Sequence, residues 1–518
     1  MVDIVGNMGI AAAWDAAVRF AGDRPFLVFL GPDGHRAEYS YREFNLEINR
    51  AANAFRGIGV GQGTMVLLQV GNSPEFLTCL FGLAKIGAVC VPVGLQASPA
   101  ELLAVYRRLG VTWAVVEESA AAVHARLRET AAILPGGLLS VHPSAEPCQA
   151  ARSFAGLCAS ASADFAAAEA VSADTLAELL FTSGTTAEPK GVMVTQANMV
   201  FSGYYGVWQT SLRSEDRFFT TMPACHSNFQ LAALMPVLMA GACLVLAHRY
   251  SASRFWEQAR AERATVVQLI AMMVRTLLLG PEAETDRDNL VREALYFMPL
   301  SDAEKQRFES RFAVRLLNSY GSTESIGWAV TDPPTGERRW PSVGRAGLGY
   351  EVGIFDDSGN ELPPGEIGEF WIKGVPGRSL MLGYHNDPEA TARTLRPDGW
   401  MRTNDQGYRD ADGWFYFTDR AANLVKRAGE NISTTEIENV LAAHPLIAEA
   451  AVIGVPDPLR DQALKAFVLP LPGAQLSAEA VTAHCAESLA CYKVPQHIAL
   501  VSDFPRTESM KIDKKLLS

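Results

Sequence analysis

Two apolar runs, Leu179-Leu180-Phe181 and Val192-Met193-Val194, flank a ten-residue string, Thr182-Ser183-Gly184-Thr185-Thr186-Ala187-Glu188-Pro189-Lys190-Gly191. The runs are short and bounded by turn residues, so they predict two buried strands joined by a loop. Small residues let backbone N–H groups approach a ligand closely. Hydroxyls add donors and Lys190 adds charge, so the loop suits a polyphosphate. It is not a Walker loop, because the Gly-Lys-Ser/Thr ending and the following helix are both missing. Taken alone, a Ser/Thr/Gly string is usually only a turn, and the rest of the chain has to decide.

At 518 residues the chain is too long for one ordinary core. Residues 39–93 predict a helix through Glu47, Ala51 and Phe55, a strand at 65–70, a helix at 76–86 and a strand at 88–93. Strands at 266–270 and 314–318, each after a helical stretch, continue this α/β alternation as far as Glu324. Residues 231–247 are the one long apolar stretch, but Pro236 and Gly241 interrupt it. It therefore reads as a buried helix and a buried strand, not a membrane span. Residues 119–170 are rich in Ala and Ser and contain Pro135, Pro143 and Pro147, which predicts that the segment includes variable surface connections. Short strands from 351 to 373, with turns at Asp357-Ser358-Gly359 and Pro363-Pro364-Gly365, predict a β-rich subdomain over about 340–420. The expected fold class is α/β: a large layered N-terminal domain over 1–420 and a small α+β C-terminal domain over 421–518.

Composition narrows the partners. Hydrophobic residues at 48% and charged residues at 20% fall in the globular range. A formal net charge of −12 argues against nonspecific nucleic-acid binding, while a local basic cleft for a small anion stays open. The eight cysteines, Cys79, Cys90, Cys225 and Cys491 among them, show no CxxC pair or His-linked ligand spacing and read as free thiols. The first Arg or Lys is Arg19, so no secretory signal is expected, and Leu516-Leu517-Ser518 is not a peroxisomal tail. A cytoplasmic protein with no membrane partner is expected.

Four further strings follow in order: Tyr320-Gly321-Ser322-Thr323-Glu324; Gly399-Trp400-Met401-Arg402-Thr403-Asn404-Asp405; Asp419-Arg420 with Lys426 and Gly429-Glu430-Asn431; and Pro505-Arg506-Thr507-Glu508-Ser509-Met510-Lys511-Ile512. With the first loop they resemble the motifs of the adenylate-forming superfamily, which includes acyl-CoA synthetases, peptide-synthetase adenylation domains and luciferases. The resemblance runs from about Ala11 to the C-terminus and includes Asn72-Ser73-Pro74-Glu75-Phe76 and Lys85-Ile86-Gly87-Ala88. Gly203-Tyr204-Tyr205, Arg339-Trp340-Pro341 and Ser319-Tyr320 lean toward the crotonobetaine/carnitine-CoA ligase branch.

The resemblance implies an acid–thiol ligase. A carboxylic acid and MgATP give acyl-AMP and pyrophosphate; the mobile C-terminal domain then rotates, and the CoA thiol attacks the acyl carbonyl. Thr182, Ser183, Gly184, Thr185, Thr186 and Lys190 would hold the phosphates, with Thr186 among the catalytic groups. Tyr320 and Gly321 would meet adenine, Thr323 the α-phosphate and Glu324 Mg²⁺; an aromatic face, a hydroxyl and a hard carboxylate oxygen suit those tasks. Asp405 would accept the ribose hydroxyls and Arg420 would contact the nucleotide. Lys511 would bridge the attacking carboxylate and the α-phosphate as charge develops. After rotation the Gly429 loop would lie beside the pantetheine tunnel. His226, in Pro223-Ala224-Cys225-His226, matches the gate near the acyl carbonyl, and Cys225 reads as packing because CoA already supplies the thiol. Tyr204, Tyr205, Asn228, Phe229 and Phe297 would line the acid.

Several positions depart from the family pattern. Ala187 stands for a glycine, Glu188 adds negative charge beside the polyphosphate, Gln196 stands for a histidine and Asn404 for a glycine. Ala422 occupies a hinge position that is usually Asp or Lys, and Ala428 and Met510 stand for two further glycines. An enzyme with slow or lost adenylation is therefore an alternative. It would only thioesterify a preformed acyl-AMP taken from a separate adenylating enzyme. A silent adenylate or nucleotide binder is an alternative of another class, and retained Lys511, Asp405 and Arg420 argue against it. A carnitine-like cation calls for a carboxylate or an aromatic cage, and Ser227-Asn228-Phe229 offers no acid. The identity of the acid and the oligomeric state, a homodimer included, stay open.

Overall fold

The computed structural model describes residues 3–517 apart from 132, 142–147, 167–169, 183–189, 298–299, 421–423, 428–429, 458–460, 490–492 and 508–510. Two large sheets form the N-terminal body. In a nine-stranded sheet, Pro25–Leu30, Cys243–Ala247, Arg217–Thr220, Val266–Ile270, Glu293–Phe297 and Leu316–Tyr320 lie side by side and parallel. Every residue of Val266–Ile270 is buried, as expected of a parallel strand covered on both faces. In an eight-stranded sheet, Met65–Gln69, Val89–Pro92, Trp113–Val116 and Gly137–Ser140 run parallel, and the strands Leu176–Thr182 and Lys190–Thr195 form an antiparallel hairpin.

Local chemistry explains the element ends. The helix Tyr41–Gly57 starts at Ser40, whose hydroxyl accepts the Glu43 N–H while Glu43 accepts the Ser40 N–H at 2.8 Å. Its Phe44, Ile48, Ala51, Ala52 and Phe55 recur at helical spacing and are all buried. The long apolar stretch breaks where expected: Met235–Ala240 is helical, Gly241 turns the chain at φ +65°, and Cys243–Ala247 is a fully buried strand. Among the described residues no helix is long and apolar enough to cross a membrane. The strand expected at 314–318 lies two residues later, at Leu316–Tyr320, because the preceding helix closes on left-handed Ala313 and Val314 serves the connection.

Residues 119–170 include largely exposed connections over 149–166, and they also carry regular structure that the reading did not place. They hold most of a 14-residue helix, Glu118–Ala131, and a fully buried strand, Gly137–Ser140. Alanine is the strongest helix former, so an Ala-rich text did not exclude regular structure. Within this region His124 is buried between the Tyr106 hydroxyl and Gln69 Oε1, the latter at 2.6 Å from its Nε2. Burial lowers its pKa to about 4 and keeps the ring neutral.

The β-rich segment forms a four-stranded antiparallel sheet of Glu351–Phe355, Gly368–Lys373, Trp400–Arg409 and Phe415–Arg420. Its turns use Gly359 and Gly365 at φ +84° and +91°. The strands from Leu424 onward build a separate five-stranded sheet that packs with the helices Thr434–Ala442 and Ala478–Ser488 around Ile432, Ile437, Leu441, Val452, Leu464 and Val481.

Candidate active site

The hairpin pins its loop at both ends, because Thr182 and Lys190 face each other in register. Ser183, Gly184, Thr185 and Thr186, with Ala187 and Glu188, lie outside the described residues, and only the backbone of Thr182 is described. Lys190 places its ammonium 4.9 Å from the centre of the Tyr384 ring. Tyr384 belongs to a two-residue strand, Gly383–Tyr384, that pairs with the strand leaving the loop through Tyr384 and Val192. Its hydroxyl donates to Glu324 Oε1 at 2.9 Å, and the Met381 N–H donates to the Glu324 carbonyl at 2.9 Å. Residues 190, 324 and 384 thus meet at one place. Burial, with the neighbouring Glu324 carboxylate, holds the Tyr384 phenol well above its ordinary pKa, so it stays a donor.

A second cluster forms where the β-rich sheet meets the end of the parallel strand Leu316–Tyr320. The Tyr320 hydroxyl donates to Asp405 Oδ2 at 2.7 Å, and its ring lies 4.9 Å from Phe370 and 5.8 Å from Phe417. Asp405 is 4% exposed and pairs in register with Arg420, of which only the backbone is described. Gly321 permits a close crossing: a Cβ there would lie 2.7 Å from the Gly327 carbonyl oxygen. Asn404 adopts φ +58°, a left-handed conformation that Asn tolerates better than most side chains, and its N–H donates to Glu369 Oε1 at 2.8 Å. The missing glycine is accommodated there.

The segment around His226 meets the strand-end turn that carries Thr323. Ser227 Oγ lies 3.1 Å from Thr323 Oγ1. Asn72 fixes the segment from below: its amide donates to the Met222 and Ala247 carbonyls at 3.0 and 2.9 Å and accepts the Ala224 N–H at 2.7 Å. His226 caps the short helix Ser227–Phe229, its carbonyl accepting the Phe229 N–H at 3.0 Å. Gln230 then donates to the Ala224 carbonyl at 3.0 Å. Near Gln230, on the strand entering the phosphate loop, Glu178 is fully buried, and burial raises its pKa to about 8.

Two of the residues expected to line the acid are core residues. Tyr205 is 1% exposed, its hydroxyl donates to the Trp328 carbonyl, and its ring packs against Phe201, Trp208 and Tyr350. Helical spacing puts 201, 205 and 208 on one face, with Phe201 and Tyr205 buried and Trp208 half-buried. Phe229 is also fully buried. Tyr204 is half-buried and its hydroxyl faces Met8 Sδ at 3.7 Å, while the Asn228 carbonyl accepts from Gln268 at 2.8 Å. Phe297 stacks on Trp328 with centroids 4.5 Å apart and planes at 21°. Gln196 is a bridge, accepting the Ile10 N–H at 3.0 Å and donating to the Ala84 carbonyl at 3.1 Å. On the C-terminal unit Lys511 is exposed, its carbonyl accepting the Thr507 N–H at 2.8 Å; Gly429 lies outside the described residues.

Sequence reasoning missed Tyr384 and Trp328, and it gave Asn72 no task. A two-residue strand leaves no periodic signal, and a stacking partner is set by tertiary approach. The site suits Mg²⁺, because the Glu324 carboxylate is a hard oxygen donor. That fits an ion held by one carboxylate together with substrate phosphates.

Comparison with known proteins identifies the family. The model of the AMP-binding enzyme family matches residues 14–385, and that of the AMP-binding enzyme C-terminal domain matches residues 436–511. The crotonobetaine/carnitine–CoA ligases of Salmonella enteritidis PT4 and Salmonella typhimurium are each 42% identical over 516 residues, covering 100% of this chain and of theirs. The anthranilate CoA ligase AuaEII in complex with anthranoyl-AMP superimposes with a TM-score of 0.88 at 25% identity, over 98% of this chain and 96% of that one. ATP-bound MatB from Rhodopseudomonas palustris gives 0.87 at 26% identity, over 98% of each chain. The chain belongs to the AMP-binding enzyme family and is an adenylate-forming acyl-CoA ligase, using ATP, Mg²⁺ and CoA and passing through an acyl-AMP.

Proposed function

We propose that this ligase performs both half-reactions on a neutral, largely apolar carboxylic acid. The observation that carries the reading is the meeting of Lys190, Glu324 and Tyr384 at the foot of the phosphate-loop hairpin, beside the Tyr320–Asp405 pair. In the first step a substrate carboxylate oxygen bonds to the α-phosphorus and the bond to the pyrophosphate oxygen breaks. Lys190 and the loop hydroxyls, Thr186 among them, hold the departing phosphates. Glu324 would hold Mg²⁺, which would supply neutralising charge at the phosphates, and Lys511 offsets the repulsion between carboxylate and α-phosphate. Tyr320 and Gly321 meet the adenine, Asp405 takes the ribose hydroxyls, and Arg420 adds a nucleotide contact. In the second step the CoA sulfur bonds to the acyl carbon, the acyl–oxygen bond breaks and AMP leaves. Ser227, Thr323 and His226 surround that carbon, and the Gly429 loop faces the incoming pantetheine.

Two of the departures that raised a thioesterification-only enzyme are accommodated locally. Asn404 adopts the left-handed backbone, and Gln196 serves as a buried bridge. Ala187, Glu188, Ala422, Ala428 and Met510 lie outside the described residues and remain as the support for that second reading. As for the acid, relatives named for crotonobetaine and carnitine suggest a trimethylammonium group. The residues proposed to line the acid, Tyr204, Asn228 and Phe297 among them, carry no carboxylate, and Phe297 stacks on Trp328 as apolar aromatic surface. Such a lining supports a neutral acid. Both ATP and CoA point to the cytoplasm. The test is acyl-CoA formation from free acid, MgATP and CoA. Product formed only from a supplied adenylate would replace this reading by thioesterification alone.

A further inference from the structure

Tyr384 is a buried phenol whose two faces of chemistry point at two different site residues. Its hydroxyl holds Glu324 Oε1 at 2.9 Å, and its ring lies 4.9 Å beneath the Lys190 ammonium. The chain around it is fixed by backbone bonds: Tyr384 pairs with Val192, the His385 N–H donates to the Gly191 carbonyl at 2.8 Å, and the Met381 N–H to the Glu324 carbonyl at 2.9 Å. The Tyr384 N–H itself donates to Thr391 Oγ1 at 2.9 Å, tying the strap to the helix Pro388–Thr394. A rigid strap therefore links the exit of the phosphate loop to the carboxylate assigned to Mg²⁺.

We propose that Tyr384 is a positioning residue for adenylation: it orients the Glu324 carboxylate toward the metal and spaces it from Lys190, while acyl transfer to CoA does not depend on its hydroxyl. The inference rests on the metal role proposed for Glu324. A phenolic donor on Oε1 fixes the plane of the carboxylate and directs Oε2 to a cation. Hydrogen bonds to metal-bound carboxylates commonly change metal affinity by about 10–100-fold. The ring contributes separately, as a face for the Lys190 ammonium that keeps the cation near the triphosphate.

The substitution Tyr384→Phe keeps the ring and removes only the hydroxyl. The reporting quantity is the gain in affinity for α,β-methylene-ATP on adding Mg²⁺, measured by calorimetry without any turnover. In Tyr384→Phe this gain should fall by about tenfold or more, with affinity in the absence of Mg²⁺ preserved. Thioester formation from supplied acyl-AMP and CoA should stay within about twofold of the parent, which also reports a folded protein. An unchanged Mg²⁺ gain, or equal loss of both half-reactions, overturns the proposal and leaves Tyr384 a packing residue. If the parent shows no Mg²⁺ gain, the metal assignment of Glu324 fails and the proposal falls with it.

Discussion

Replacing Glu178 with Gln should make the protein progressively more stable than the parent as the pH rises through neutrality. Glu178 is fully buried, and desolvation lifts its pKa from an ordinary 4.5 to about 8, with the Gln230 amide pulling weakly the other way. In the unfolded chain the carboxyl ionises above 4.5, whereas the native state keeps its proton until about 8. The native state therefore binds more protons across that window, and its stability declines as pH rises through it. At pH 7 the interval above 4.5 is 2.5 units, and at about 1.4 kcal/mol per unit the loss comes to about 3 kcal/mol. Gln has nearly the same shape and does not titrate. Urea midpoints of the parent and Glu178→Gln, taken at intervals from pH 4 to pH 8.5, should separate above about pH 5 and stop separating near pH 8. Parallel curves would refute the reasoning, because they would mean that Glu178 titrates alike in both states.

Two more outcomes follow from the phosphate loop and the C-terminal unit. Ala187→Gly should raise acid-dependent pyrophosphate exchange if a positive φ at that position limits the rate; an unchanged rate would clear Ala187 of that role. Lys511→Ala should slow adenylation by at least about 10²-fold while sparing CoA attack on supplied adenylate, and equal loss of both steps would contradict its assignment.

Much of the fold was legible because burial leaves periodic text. The helix Tyr41–Gly57, the strand Val266–Ile270 and the broken stretch around Gly241 followed from apolar spacing and a turn residue. In the Ala-rich region 119–170 the helix Glu118–Ala131 went unplaced because Ala fits both a connection and a helix, and the strand Gly137–Ser140 because four residues leave little periodic signal. Much of the site was legible as strings, since Tyr320, Thr323, Glu324 and Asp405 carry side chains suited to a nucleotide. Their mutual contacts were not. Tyr320 reaches Asp405 across 85 positions, and Tyr384 reaches Glu324 across 60, through sheet edges that no local pattern encodes. Tyr204 and Tyr205 show the converse. They are adjacent in sequence, yet one helix step turns Tyr205 into the core and leaves Tyr204 half-buried.

The most direct measurement supplies each of a panel of acids in two forms, free with MgATP and CoA or as its synthetic adenylate with CoA, and reads acyl-CoA by mass. Apolar acids and carnitine-like cations are compared side by side. The account predicts product from both forms, with neutral apolar acids ahead of the cations. Product from adenylates alone, or a preference for the trimethylammonium acids, would contradict it.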